Sequence, residues 1–112
     1  MNKGVKTIIY PVTDLAKAKA QFTTLLGVEP IADAPYYVGW NIDGQNIGLD
    51  PNGHRNGGPL PYYQVDDIQA SLKALLDAGA TLIQDVTSVG GGRQVASVKD
   101  VDGNLIGLSH DS

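Results

Sequence analysis

The chain has 112 residues, 42% of them hydrophobic, a formal net charge of -4 and no cysteine. That describes a globular domain able to bury one core; it excludes disulfides, thiolate metal sites and cysteine nucleophiles, and the lack of a basic cluster excludes the phosphate-binding surface that nucleic acid demands. No apolar run approaches the roughly 20 residues that span a bilayer, and residues 1–10 lack the pattern of a signal peptide, so a cytoplasmic location away from membranes is expected.

In chain order, Val5–Tyr10 is a β-rich run stopped by Pro11, and its adjacent isoleucines, Ile8 and Ile9, suit a strand covered on both faces. Asp14 is the expected N-cap of a helix whose apolar stripe is Leu15, Ala18, Phe22, Leu25 and Leu26, with Gly27 as the left-handed terminator. Short strands are predicted at Val28–Asp33, Tyr36–Ile42 and Gln45–Asp50, the last two joined by a tight turn at Asp43-Gly44. Residues 51–59 carry a proline at each end and glycine and asparagine between them, the composition of a linker.

The plan then repeats. Leu60–Val65 is a strand, Asp67 caps a helix with Ile68, Leu72, Leu75 and Leu76 on one face, and Gly79 closes it. Strands follow at Ala80–Gln84, Arg93–Lys99 and Asn104–His110, and the triple glycine Gly90-Gly91-Gly92 reads as a mobile rim between the first two. The sequence itself is duplicated: Asp43-Gly44-Gln45-Asn46-Ile47-Gly48-Leu49 returns 59 residues later as Asp102-Gly103-Asn104-Leu105-Ile106-Gly107-Leu108. Val12-Thr13-Asp14-Leu15 is likewise answered by Val65-Asp66-Asp67-Ile68. Two copies are too few for a solenoid, so a pseudo-twofold pair of β-α-β-β-β modules is expected: 1–50 and 60–112, with linker 51–59, in one α+β domain covering 1–112.

The two modules, the V-x-D-L helix start and the D-x-D-G-N-x-I-x-L ending at Asp100–Leu108 resemble the vicinal oxygen chelate superfamily, which includes glyoxalase I, extradiol dioxygenases and the bleomycin and fosfomycin resistance proteins. The resemblance covers essentially the whole chain. It implies a cupped mixed sheet with helices on the outer face, and commonly a homodimer. In metal-dependent members each module supplies one ligand from its first strand, usually His or Gln, and one from its last, usually Glu. The matching positions here are Thr7 and Gly48, then Leu60 and Gly107. Neither glycine nor leucine offers a side-chain donor to a cation, so no metal and no other cofactor is expected. Asp50 or His54 could enter the ligand set only through a one-residue slip, which turns a whole strand over.

Strand alternation puts Thr7, Ile9, Asn46, Gly48, Asp50, Leu60, Tyr62, Gln64, Leu105, Gly107 and Ser109 on the face of the lost ligands. A two-residue turn at Asp43-Gly44 sets Gly39 opposite Gly48, adds Tyr37, Gly39 and Asn41 to that face and sends Trp40 to the helix side. Four missing ligand side chains leave room for a larger molecule. The expected site is therefore Thr7, Ile9, Tyr37, Gly39, Asn41, Gly48, Asp50, Leu60, Tyr62, Gln64, Gly107 and Ser109, with Arg93 either clamping an anionic group or merely starting a strand. Tyr37 and Tyr62 read equally as pocket wall or core filling.

Two functions remain open on these residues. One is metal-independent binding of a small, partly aromatic molecule, of the sequestration or drug-resistance kind. The other is a divergent lyase, isomerase or epimerase using Asp50, Tyr62 or His110 in place of the metal. His54, His110 and Asp102 otherwise read as solvated or turn-forming residues.

Overall fold

The computed structural model describes residues 2–52 and 58–111. They run β1 (Asn2–Pro11), α1 (Leu15–Leu26), β2 (Ala32–Ala34), β3 (Tyr37–Ile42), β4 (Gln45–Asp50), β5 (Leu60–Val65), α2 (Ile68–Asp77), β6 (Thr81–Gly90), β7 (Arg93–Lys99) and β8 (Leu105–Asp111). This is an α+β chain in which the order β-α-β-β-β occurs twice. Residues 7–52 with 58–59 form one compact unit, and residues 2–6 group with 60–111 in the other. Among the described residues no helix is long and apolar enough to cross a membrane. His54 and the centre of the expected linker lie outside the described residues.

In the first unit β2, β3 and β4 form an antiparallel meander, and β4 pairs in parallel with β1. The Asp14 side chain accepts the Lys17 N–H at 3.1 Å, satisfying one of the donors a helix start leaves orphaned, and Gly27 at φ 77° ends α1. Leu15, Ala18, Phe22 and Leu26 pack on Val38, Trp40 and Leu49, which are at most 2% exposed. Phe22 sits between two aromatic neighbours, 4.9 Å from the Tyr10 ring centre and 6.1 Å from that of Trp40. The indole N–H of Trp40 donates to the Val28 carbonyl at 3.0 Å, so its burial leaves no orphaned donor. Trp40 lies on the helix side, as the alternation requires.

The second unit repeats the scheme with β5 parallel to β8 and β8, β7 and β6 antiparallel. Asp67 caps α2 through the Ala70 N–H at 3.0 Å. Past Ala78, Gly79 adopts φ 105°; its N–H bonds the Leu76 carbonyl and the Ala80 N–H the Leu75 carbonyl, a paired closure of the last turn. Ile68 and Leu72 press onto Val65, Ala96, Val98 and Leu108.

Three expectations change, and the glycine run gains a definite conformation. The strand expected at Val28–Asp33 shrinks to Ala32–Ala34: the preceding stretch contains Pro30 and is tied to β3 irregularly, through Trp40 and an Ile31 N–H bond to the Gly39 carbonyl. The strand expected to stop at Gln84 runs on to Gly90 as β6, with register breaks between Leu82 and Gly90 that let it bend while staying paired. The triple glycine forms a tight turn: Gly90 pairs with Arg93, and Gly91 at φ 63° and Gly92 at φ 79° make the reversal. Leu25 leaves the apolar stripe of α1 and is 73% exposed.

The loop joining β7 to β8 is organised by one carboxylate. Asp100 accepts the N–H groups of Asp102 (2.9 Å) and Asn104 (2.8 Å) and the Asn104 side-chain amide (3.0 Å). These bonds, that of the Asn104 amide foremost, hold its carboxyl below the usual range. A depressed folded pKa stabilises fully above the unfolded value of about 3.9 and is lost as pH falls through the folded one. Asp100→Asn should therefore be less stable than the parent near neutral pH, with the gap closing below about pH 4. Urea denaturation across pH measures it, and a gap unchanged into strong acid would contradict the assignment.

Candidate functional site

Each unit has one sheet face under its helix and one face opposite, and the sequence-derived residues divide accordingly. In the first unit the Asp43-Gly44 turn, with φ of 52° and 87°, closes a two-residue hairpin that places Gly39 opposite Gly48 and Asn41 opposite Asn46. The parallel pairing of β1 adds Thr7 beside Asn46 and Ile9 beside Gly48. Thr7, Ile9, Tyr37, Gly39, Asn41, Asn46 and Gly48 thus share a face, by alternation, opposite that of Trp40 and Leu49. Asp50 ends the row half-buried, its carboxylate accepting the Asn52 N–H at 2.7 Å as a turn anchor.

The space opened by the missing ligand side chains does not stay open, which corrects the expectation of a widened cup at these positions. The Tyr37 ring lies along its own strand over both Gly39 and Gly48. A Cβ atom added at Gly39 would stand 2.7 Å from Tyr37 Cε2, and one at Gly48 would stand 2.6 Å from Tyr37 Cε1. In the second unit a Cβ on Gly107 would meet the Tyr62 ring at 2.5 Å. Tyr62 and Gly107 are register partners across β5 and β8. Neither Gly48 nor Gly107 has a positive φ, so each is glycine for want of room and not for backbone conformation.

A row of side-chain hydrogen bonds crosses the first unit beside Tyr37. Asn41 Oδ1 accepts the Gly44 N–H at 3.2 Å, Asn41 Nδ2 donates to Asn46 Oδ1 at 2.9 Å, and Asn46 Nδ2 donates to Thr7 Oγ1 at 3.4 Å. Thr7 is 5% exposed, Asn46 half-buried and Asn41 exposed, so the row runs from solvent inward.

In the second unit Tyr62, Gln64, Gly107 and Ser109 form one face, through the pairs Tyr62–Gly107 and Gln64–Ser109, and Leu60 lies two residues before Tyr62 on the same strand face. Ser97 and Val95 of β7, opposite Gly107 and Ser109, complete it. Sequence reading missed these two, although the β7–β8 pairing carries the signal. Arg93 aims at Asp111: Nε meets Oδ1 at 2.8 Å and Nη2 meets Oδ2 at 3.4 Å. The guanidinium holds the Asp111 carboxyl below its usual range. His110 is on the other face of β8, the face of Leu108, and its Nδ1 lies 2.9 Å from the Val65 carbonyl. Because a carbonyl only accepts, Nδ1 carries the proton there. Asp102 occupies the β7–β8 loop and its N–H serves Asp100.

The chain belongs to the glyoxalase/bleomycin resistance protein/dioxygenase superfamily, whose sequence profile matches residues 4–108. Solved structures agree on the fold. A member of that superfamily from Vibrio splendidus 12B01 is 19% identical, with a TM-score of 0.73 over 99% of this chain and 100% of its own. A Mn(II)-bound glyoxalase from Novosphingobium aromaticivorans is 17% identical, with a TM-score of 0.75 over 99% of this chain and 40% of its own. Methylmalonyl-CoA epimerase from Mycobacterium tuberculosis is 18% identical, with a TM-score of 0.74 over 99% of this chain and 89% of its own. A search of curated proteins gave no match.

The divalent cation held by metal-dependent members does not fit the residues present. Thr7 has only a hydroxyl, Leu60, Gly48 and Gly107 have no donor, and rings cover both glycines. Among the described residues no group of three or more His, Asp or Glu side chains could hold a metal ion.

The ring-over-glycine contacts carry a measurable consequence. Gly48→Ala and Gly107→Ala should each destabilise by about 1–3 kcal/mol through overpacking, although alanine in a strand is ordinarily better than glycine by roughly 0.5–1 kcal/mol. Adding Tyr37→Ala or Tyr62→Ala, respectively, should cancel most of that loss in a double-mutant cycle by urea denaturation. Strictly additive costs would mean that the rings are not the obstacle.

Proposed function

We propose that this protein binds a small, partly aromatic organic molecule without a metal, in the manner of a sequestering or drug-resistance protein. The observation that carries the reading is the exchange at the family's metal positions: the carboxylate donors are gone and half-buried tyrosine rings lie over the glycines that replace them. The Tyr37 ring offers a ligand apolar, stackable surface, and the amides of Asn41 and Asn46 on the same strand face supply the few polar groups such a site needs. Turnover by a lyase, isomerase or epimerase has weaker support. His110 lies on the helix face of its strand and Asp50 is occupied as a turn anchor.

The test is thermal unfolding against a panel of planar aromatic natural products. A ligand at ten times its Kd should raise Tm by roughly 5 °C, whereas Mn(II), Ni(II), Zn(II) or a chelator should leave Tm unchanged. A rise with stoichiometric metal and none with any aromatic compound would overturn the proposal.

A homodimer is the second part of the reading. Leu25, Val28, Ile31 and Tyr36, from a single stretch of the first unit, are each at least 50% exposed, apolar side chains that a twofold partner would cover. Light scattering should give twice the chain mass, and Leu25→Lys with Ile31→Lys should return it to the monomer value. A concentration-independent monomer in the parent protein would contradict this part.

A further inference from the structure

The polar row on the first unit has a direction, and the direction is imposed by the backbone. The Gly44 N–H can only donate, so the Asn41 side chain must turn its oxygen to it. That leaves Asn41 Nδ2 to face Asn46, which must present its oxygen in turn and send its own Nδ2 to Thr7 Oγ1. No reversed arrangement satisfies all three contacts. A single amide N–H at the hairpin end therefore fixes two side-chain amides that would otherwise be free to flip.

The result is a polarised strip. Along the row the oxygens of Asn41 and Asn46 each accept a bond within the protein. Each asparagine keeps a second Nδ2 proton, and Thr7, having accepted from Asn46, keeps its hydroxyl proton to donate. The strip thus offers a ligand the two remaining Nδ2 protons, beside amide oxygens that are each already engaged once. It lies on the same strand face as the Tyr37 ring, with Asn41 four residues from Tyr37 along β3. Ring and donors together match a planar molecule that carries a hydrogen-bond acceptor in its plane.

We infer that Asn41, Asn46 and Thr7 orient the ligand, and that the ligand is a planar ring bearing a carbonyl or carboxylate which accepts from this row while the ring rests on Tyr37. The inference rests on the binding reading above and adds the ligand's chemical class. A donor strip held by three internal bonds loses little freedom when it engages an acceptor, which favours affinity over a set of unrestrained side chains. It also discriminates, because an analogue without the acceptor leaves donors unpaired on binding.

Three matched probes test it: naphthalene-2-carboxamide, naphthalene-2-carboxylate and 2-methylnaphthalene, titrated into 15N-labelled protein. The two acceptors should bind at least about 10-fold tighter than the methyl compound, a difference of about 1.4 kcal/mol. They should also shift the side-chain amide signals of Asn41 and Asn46 together with the backbone signals of Gly39 and Gly48. Asn46→Leu and the near-isosteric Thr7→Val should each remove most of that preference, weakening the two acceptor probes more than 2-methylnaphthalene. Equal binding of all three probes, or a preference that survives both substitutions, would overturn the inference and leave aromatic binding standing. Absence of any shift on this face with all three would overturn both.

Discussion

Each unit has a single helix to cover a two-faced sheet, and that shortage governs much of what the chain can do. α1 and α2 bury one side of their sheets, with Trp40 and Leu49 under the first and Val98 and Leu108 under the second. Strand alternation then commits every second residue to the face the helix does not reach. The chemistry of the chain has to be found there. His110 stands on the helix side by the same alternation, its ring held at the Val65 carbonyl.

On those opposite faces the chain has replaced coordination chemistry with packing. A carboxylate at Gly48 or Gly107 and a flat tyrosine ring above it cannot occupy the same volume, so the exchange is concerted: glycine is required by the ring as much as the ring is permitted by glycine. The ring shields strand backbone that a glycine leaves bare, the kind of cross-strand contact worth about 0.2–1 kcal/mol relative to alanine pairs. Installing the donor set of metal-dependent members would take more than side chains at four positions, because both tyrosines would have to vacate.

Much of this was legible in the sequence. The helix caps at Asp14 and Asp67, the pairing of Gly39 with Gly48 and the inward turn of Trp40 all follow from local rules with a fixed period, and local rules survive folding. The pose of the Tyr37 ring does not follow from such a rule. It depends on a side-chain rotamer chosen by the neighbouring strand, and the open space inferred from the missing ligands was therefore filled in the structure. β6 escaped for a related reason: its register breaks are compromises between two strands, invisible in either alone. The lateral hydrogen-bond row needs atom-level directions, although parity alone puts Thr7, Asn41 and Asn46 on one face.

The duplicated phrase is spelled alike in both halves but folded differently. In the first half Asp43-Gly44 is itself the whole reversal, whereas in the second Asp102-Gly103 is the tail of a longer loop gathered around Asp100. Length changes should thus meet different fates in the two copies. An extra residue at the short hairpin shifts β3 against β4 and turns one strand's inner side chains outward. At the longer loop the same insertion disturbs local bonds but leaves the Lys99–Leu105 pairing available to re-form. One copy of the phrase thus closes a junction whose lengthening costs register and the other a junction that can absorb it, so grafting by design has its natural point of entry between β7 and β8.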